Sequence, residues 1–181
     1  MKICVDIDGV LCDIHHDVLK YISMYYDVDI KVEDINDFNF VHGKSGIQFG
    51  KEIKNLLHNK NFVMSLPTVP GAVDAIRELT KHNLVVLATH RTNFSHDGTR
   101  QWFVDRFGLQ LPIYYTKEIK ADVLIDDYPK YIEEFRTYND NKSIGILFDR
   151  PWNRAYKTDF WNIERVYDWA GVLDSIRRTW M

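Results

Sequence analysis

Four short apolar runs, Lys2 to Val5, Leu84 to Ala88, Asp122 to Ile125 and Ser143 to Phe148, constrain the fold of this chain more than any other feature. Each has the length of a strand and is apolar at consecutive rather than alternating positions, which is the pattern of a strand buried on both faces. Helical patterns lie between the later runs. Val73, Ile76 and Leu79 follow Pro70-Gly71, and Trp102, Phe103, Arg106 and Phe107 follow a helix cap predicted at Ser95. Strand, helix, strand repetition predicts an α/β fold, a Rossmann-like parallel sheet flanked by helices. Pro112 to Thr116 offers a further short strand, and Asp168 is placed to cap a C-terminal helix through Val172, Leu173 and Ile176.

The first interval breaks the rhythm. From Val5 to Leu84 is about twice the ~30 residues that a βαβ unit needs. Ile14, Val18, Ile22 and Tyr25 recur at helical spacing, as do Phe49, Ile53 and Leu56 or Leu57. The excess therefore reads as a mainly α-helical cap inserted after strand one, spanning 14–66, with 1–13 and 67–181 forming the α/β core. An insertion at the carboxyl edge of a parallel sheet overhangs the crevice where ligands bind, so this one is a candidate for selecting substrate and excluding water.

Bulk properties narrow the function classes. With 23 Lys+Arg against 26 Asp+Glu, a net charge of −3 and no block of like charge, the chain lacks the footprint of a protein that tracks extended nucleic acid. No stretch reaches the roughly 18 apolar residues that span a bilayer, and Asp6 and Asp8 interrupt the only apolar run near the N-terminus, so neither membrane insertion nor export is expected. Cys4 and Cys12 have no metal-ligand or redox spacing, consistent with a reduced, cytoplasmic protein.

The chemistry is concentrated at strand ends. Asp6-Ile7-Asp8-Gly9-Val10 follows the first run, and two carboxylates at i and i+2 leave a strand on the same side while Gly9 permits a sharp turn. Asp126-Asp127 ends the run Val123-Leu124-Ile125 in the same way. Either pair alone could serve as turn punctuation. On parallel strands, however, all four carboxylates converge on one edge, and an all-oxygen cluster of that charge calls for a divalent cation such as Mg²⁺. Thr89-His90-Arg91, at a third strand end, supplies a hydroxyl and backbone amides suited to phosphate oxygens. Lys117, with Lys120 as competitor, is a candidate phosphate cation. His15 and His16 adjoin the acidic loop but point to different helix faces, so they do not form a joint metal site. Phe148-Asp149-Arg150-Pro151-Trp152-Asn153-Arg154 reads equally as part of a pocket mouth or as an anchored loop.

These motifs, in this order, resemble those of the haloacid dehalogenase superfamily of phosphatases: an Asp-x-Asp after strand one, a Ser/Thr, a Lys and a terminal acidic pair. The chain is more closely similar, over nearly its whole length, to the cytosolic 5′(3′)-deoxyribonucleotidases. The likeness is carried by Asp6-Ile7-Asp8-Gly9-Val10-Leu11-Cys12-Asp13, Leu66-Pro67-Thr68-Val69-Pro70-Gly71-Ala72, Ala121-Asp122-Val123-Leu124-Ile125-Asp126-Asp127, Ile146-Leu147-Phe148 and the tail from Trp169 to Arg177. The resemblance implies a haloacid dehalogenase-like fold and a Mg²⁺-dependent phosphomonoesterase working through an aspartyl-phosphate on a small phosphate ester, a deoxynucleoside monophosphate. Asp6 would be the nucleophile and Asp8 the acid and then the base. The metal would be held by Asp6, the Asp8 carbonyl and Asp127, with Asp126 behind them. Thr89, His90 and Lys117 would bind phosphate, and Ile14, Phe62 and Val63 would meet the leaving group. Ile14 stands where the family commonly has an aromatic residue against the base, so modest discrimination among bases is expected.

Two other readings are compatible with the same strand ends. One keeps the machinery but acts on a phosphosugar or a nucleic-acid 3′-phosphate. The other is a regulatory module that binds Mg²⁺ and phosphate without turnover; the presence of both Asp6 and Asp8 argues against it.

Overall fold

A computed structural model describes residues 1–43, 45–139, 142–157 and 160–179. Six parallel strands, β1 (Lys2–Asp6), β2 (Leu84–Ala88), β3 (Ile113–Tyr114), β4 (Val123–Asp126), β5 (Ile144–Phe148) and β6 (Ile163–Val166), form one sheet in the order β3-β2-β1-β4-β5-β6. The strand order reverses between β1 and β4, which opens a crevice at their carboxyl ends. Asp6 is in register with Ala88 of β2, and Ile125, the residue before Asp126, pairs with Val5. This alignment brings the acidic ends together.

The four predicted strands and the short one near Pro112 to Thr116 are present. β6 is an additional strand at the sheet edge. Only Ile163 and Val166 of it are buried; between them, Arg165 bonds to Asp149 and Asn153, and Glu164 accepts from Ser175. Two charged residues in four erase the apolar run that marked the other strands.

Helices α4 (Ala72–Thr80), α5 (His96–Phe107), α6 (Pro129–Tyr138) and α7 (Trp169–Thr179) flank the sheet. Asp168 caps α7 as the sequence suggests, accepting from the Gly171 N–H at 2.8 Å. Ser95 holds the N-cap position of α5, but its hydroxyl instead donates to the Thr92 carbonyl, because a 3₁₀ turn at Asn93–Ser95 precedes the helix. Inside β5, Gly145 leaves room for α6: a Cβ there would stand 2.2 Å from Ile132 Cγ2.

Segment 14–66 carries α1 (Ile14–Tyr26), α2 (Phe49–Leu57) and α3 (Lys60–Ser65). Between α1 and α2 the described residues are irregular apart from a 3₁₀ turn at Val32–Asp34 and an isolated bridge between Val41 and Gln48. The segment leaves and re-enters the core through one paired gate. The Asp13 N–H donates to the Pro67 carbonyl at 3.0 Å and the Val69 N–H to the Leu11 carbonyl at 2.8 Å. Two buried indoles brace the gate, Trp102 donating to the Leu66 carbonyl and Trp169 to the Val10 carbonyl. No helix among the described residues is long and apolar enough to cross a membrane.

Candidate active site

Asp6 ends β1 and Asp126 ends β4, so the sheet itself delivers both carboxylates, with Asp127 next in line, to the crevice. All three are buried, and one oxygen from each lies within 4.8 Å of the others. Lys117, from the loop between β3 and β4, is the cation among them. Its Nζ donates to Asp6 Oδ1 at 2.5 Å, to Asp126 Oδ2 at 2.7 Å and to the Ala88 carbonyl at 3.0 Å. Lys120 lies elsewhere, on the Tyr138 carbonyl and over that ring.

One ammonium does not balance three buried carboxylates. Burial, reinforced by Asp126 and Asp8, pushes the Asp6 carboxyl up to about 7 against the pull of Lys117. Burial and the neighbouring Asp6 and Asp126 hold Asp127 well above the usual carboxylate range. The same carboxylates overcome desolvation at Lys117 and raise it above an ordinary lysine. Such a site gains from a second cation, and the donors fit a hard divalent ion: all are oxygens, and the turn beside them is cleared to the backbone. Gly9 sits at φ +81°, where a Cβ would come within 2.3 Å of Asp127 Oδ2.

The two terminal carboxylates differ in their free valences. Asp126 accepts from Lys117 on Oδ2 and from the Tyr128 N–H on Oδ1 at 2.8 Å. Asp127 accepts from the Trp152 indole on Oδ2 alone, also at 2.8 Å, which leaves Oδ1 without a hydrogen-bond partner among the described residues.

Asp8 turns away from this cluster. Arg91 Nε and Nη2 hold its two oxygens at 2.9 and 2.6 Å, and the guanidinium, itself buried, also donates to Thr99 Oγ1. Burial disfavours the arginine charge, but Asp8 more than restores it. The sequence reading valued Arg91 only for its backbone. Its position directly after Thr89-His90 at a strand end was the available signal for a side chain reaching the same edge. Thr89 is buried at the end of β2 and accepts from the Arg91 N–H, while His90 leans over Tyr131 with ring centroids 4.5 Å apart.

A cavity of about 830 Å³ opens above these groups. Asp6, Asp8, Thr89, His90, Lys117, Asp126 and Asp127 line its floor. Its walls include Ile14, Phe38, Phe40 and Ile53 from segment 14–66, and Tyr128 and Tyr131 from the core. Phe62 and Val63 do not line it, contrary to the sequence expectation. The helix that carries them, α3, packs on α5, and Val63 lies within 3.5 Å of where a Gly98 Cβ would be. Aromatic wall residues come instead from the irregular stretch before α2, where no periodicity announces which side chains face inward. Phe38 meets Tyr128 at a ring separation of 3.9 Å.

The loop Asp149–Arg154 belongs to the site through its contacts. Trp152 holds Asp127, Asn153 Nδ2 donates to the Asp127 and Phe148 carbonyls at 2.8 Å each, and Arg150 Nε donates to the Gly9 carbonyl at 2.7 Å. His15, on α1, is buried and stacks on Trp152 at 3.8 Å. Burial lowers its pKa to about 3, so the ring is neutral. His16 points outward and bonds to Asp13.

Comparison with known proteins agrees with this architecture. A haloacid dehalogenase-like protein of Burkholderia xenovorans has the same fold at a TM-score of 0.63, with 12% identity and 99% and 98% of the two chains covered. A 5′(3′)-deoxyribonucleotidase of Bacillus subtilis is 27% identical over 84% of this chain and 87% of its own. A Staphylococcus epidermidis protein, named provisionally for the same activity, is 30% identical over 94% and 93%. The family model described as 5′ nucleotidase, deoxy (Pyrimidine), cytosolic type C matches residues 1–180. With parallel strands that converge on a buried acidic edge and a match over nearly its full length, the chain belongs to the cytosolic type C 5′-nucleotidase family, hydrolases of phosphoric monoesters.

Proposed function

We propose that the protein is a Mg²⁺-dependent 5′(3′)-deoxyribonucleotidase that removes phosphate from deoxynucleoside monophosphates through an aspartyl-phosphate on Asp6. The observation that carries this reading is the Lys117 bridge. It ties Asp6 Oδ1 and Asp126 Oδ2 together and leaves Asp6 Oδ2 unpaired among the described residues, at the floor of a cavity large enough for a nucleotide.

In this mechanism the unpaired Asp6 oxygen attacks phosphorus, and the bond from phosphorus to the leaving oxygen breaks as Asp8 donates its proton to that oxygen. Asp8, now ionised, takes a proton from water, which attacks the phosphorus of the acyl phosphate and returns Asp6 and inorganic phosphate. Lys117 and the Thr89 hydroxyl bind the transferred phosphoryl oxygens, with His90 at the rim. Arg91 fixes where Asp8 stands. A bound Mg²⁺, held by Asp6, the Asp8 carbonyl and Asp127 with Asp126 in support, would neutralise charge between carboxylate and phosphoryl group. Segment 14–66 acts as the cap. Ile14, Phe38 and Phe40 face the leaving group, and the aromatic side chains support a nucleoside there rather than a sugar alone.

The test is turnover of dUMP, dTMP, dGMP and a phosphosugar with and without Mg²⁺, alongside Asp6→Asn. Nucleotide hydrolysis that chelation abolishes, Mg²⁺ restores and Asp6→Asn removes without loss of fold is the expected outcome, as is acid-stable trapping of phosphate on the parent but not the variant. Full activity in Asp6→Asn would overturn the nucleophile, and a preferred phosphosugar would overturn the substrate.

A further inference from the structure

Trp152 lies in a loop that the mechanism above does not use, yet it touches both the acidic edge and the inserted segment. A buried indole N–H needs an acceptor, and most find a backbone carbonyl, as Trp102 and Trp169 do here. Trp152 instead donates to Asp127 Oδ2. Asn153 takes the Asp127 backbone carbonyl, and Arg165 holds Asn153 Oδ1 at 2.7 Å. The carboxylate and its main chain are thus gripped from one side, and Oδ1 is the oxygen left over.

The ring that makes this bond is also the seat of segment 14–66. His15 stacks on it at 3.8 Å and 30°, and Phe38 meets its edge at 6.1 Å. Nδ1 of His15 is buried without a hydrogen-bond partner among the described residues, and stacking, here and on Phe49 at 5.8 Å, locates the imidazole.

We infer that Trp152 is a positioning residue that orients Asp127 for a divalent cation and couples seating of segment 14–66 to cation binding. The inference rests on reading the acidic cluster as a divalent-cation site. An indole N–H on one oxygen fixes the carboxylate rotamer and directs the other oxygen at the cation, and loss of such an outer partner commonly weakens a metal site 10–100-fold. Because the same ring bears His15, whatever shifts the cap shifts the ligand, and by linkage cation binding steadies the cap.

The experiment is calorimetric titration of the substrate-free protein with Mg²⁺ for the parent, Trp152→Phe and His15→Ala, with ¹⁵N-indole NMR of the parent. Trp152→Phe keeps a ring for His15 but removes the N–H. It should bind Mg²⁺ at least about 10-fold more weakly, and saturating Mg²⁺ should recover most of the lost kcat/KM. His15→Ala keeps the N–H and should weaken Mg²⁺ binding by a smaller factor. In the parent, one of the five indole signals, that of Trp152, should move on Mg²⁺ addition, a readout that needs no variant to fold. Equal Mg²⁺ affinity in a folded Trp152→Phe, or indole signals indifferent to bound Mg²⁺, would overturn the positioning role. An unchanged affinity in His15→Ala would overturn the coupling. A parent that binds no divalent cation would overturn the cation site itself, and this inference with it.

Discussion

Both oxygens of Asp8 face Arg91, which makes the arginine's planar fork, not merely its charge, the part that matters. Arg91→Lys should keep the buried cation and the fold but lose the paired hydrogen bonds, lowering kcat about 10–100-fold with little change in KM; steady-state kinetics on a nucleotide checks this, and a matched loss in KM would mean that Arg91 binds substrate instead. His15 gives a stability prediction of definite sign. Folded, it stays neutral down to about pH 3; unfolded, it takes a proton below about 6.5. The unfolded chain therefore binds more protons between those values. The stabilisation is fully present above pH 6.5 and lost as the pH falls toward 3, at up to about 1.4 kcal/mol per pH unit. His15→Phe keeps an aromatic ring and cannot titrate, so urea unfolding at pH 7, 5.5 and 4.5 should show a flatter acid decline than in the parent. At this scale the sequence is legible where a residue's placement depends on its own strand end, as at Asp6, Asp126 and Asp127, whereas Asp8, expected to join them, turns to Arg91. The sequence marks Arg91 and Trp152 by their positions but not their partners, Asp8 and Asp127, which lie more than 20 residues distant in the chain.

Strands β1, β2, β4 and β5 could be read from the sequence because each is buried on both sides, which forces consecutive apolar residues. β6 could not, since an edge strand has one covered flank and here uses its polar positions to hold the 149–154 loop and α7. The helices at the insert's start and before its end were legible from their apolar spacing, but the irregular stretch between them has no period to read. Packing of helix on sheet yields its own prediction. Gly145→Ala would drive a methyl into Ile132 on α6, an overpacking that costs about 1–3 kcal/mol. Chemical denaturation should show that loss, and adding Ile132→Ala should relieve part of it, because the second change removes the atom that clashes. Without such relief, the cost would lie in the backbone of β5 and not in its contact with α6.

The cavity belongs to the whole molecule, since its floor comes from the core and much of its wall from segment 14–66. This division predicts a contrast between two phenylalanines. Phe38→Ala should reduce kcat/KM for nucleotides by the equivalent of about 1–3 kcal/mol, the usual worth of a stacked base, and leave a small aliphatic phosphate ester much less affected. Phe62→Ala, on a helix that faces α5, should treat both substrates alike. Equal losses on both substrates from Phe38→Ala would show that its ring supports the fold and not the leaving group. The acidic floor of the cavity was legible in the sequence as a placement, because parallel strands align their ends automatically; the wall was not, because it depends on how an irregular loop lies over a distant edge. The paired gate at Asp13–Pro67 and Leu11–Val69 has a consequence for descent. The two points where the excursion leaves and rejoins lie side by side, so to the sheet everything from 14 to 66 is equivalent to a tight turn of arbitrary length. A lineage can lengthen or trim that excursion without re-threading the sheet, provided it keeps the two seats through which the segment meets the acidic edge, His15 on Trp152 and Phe38 on Tyr128.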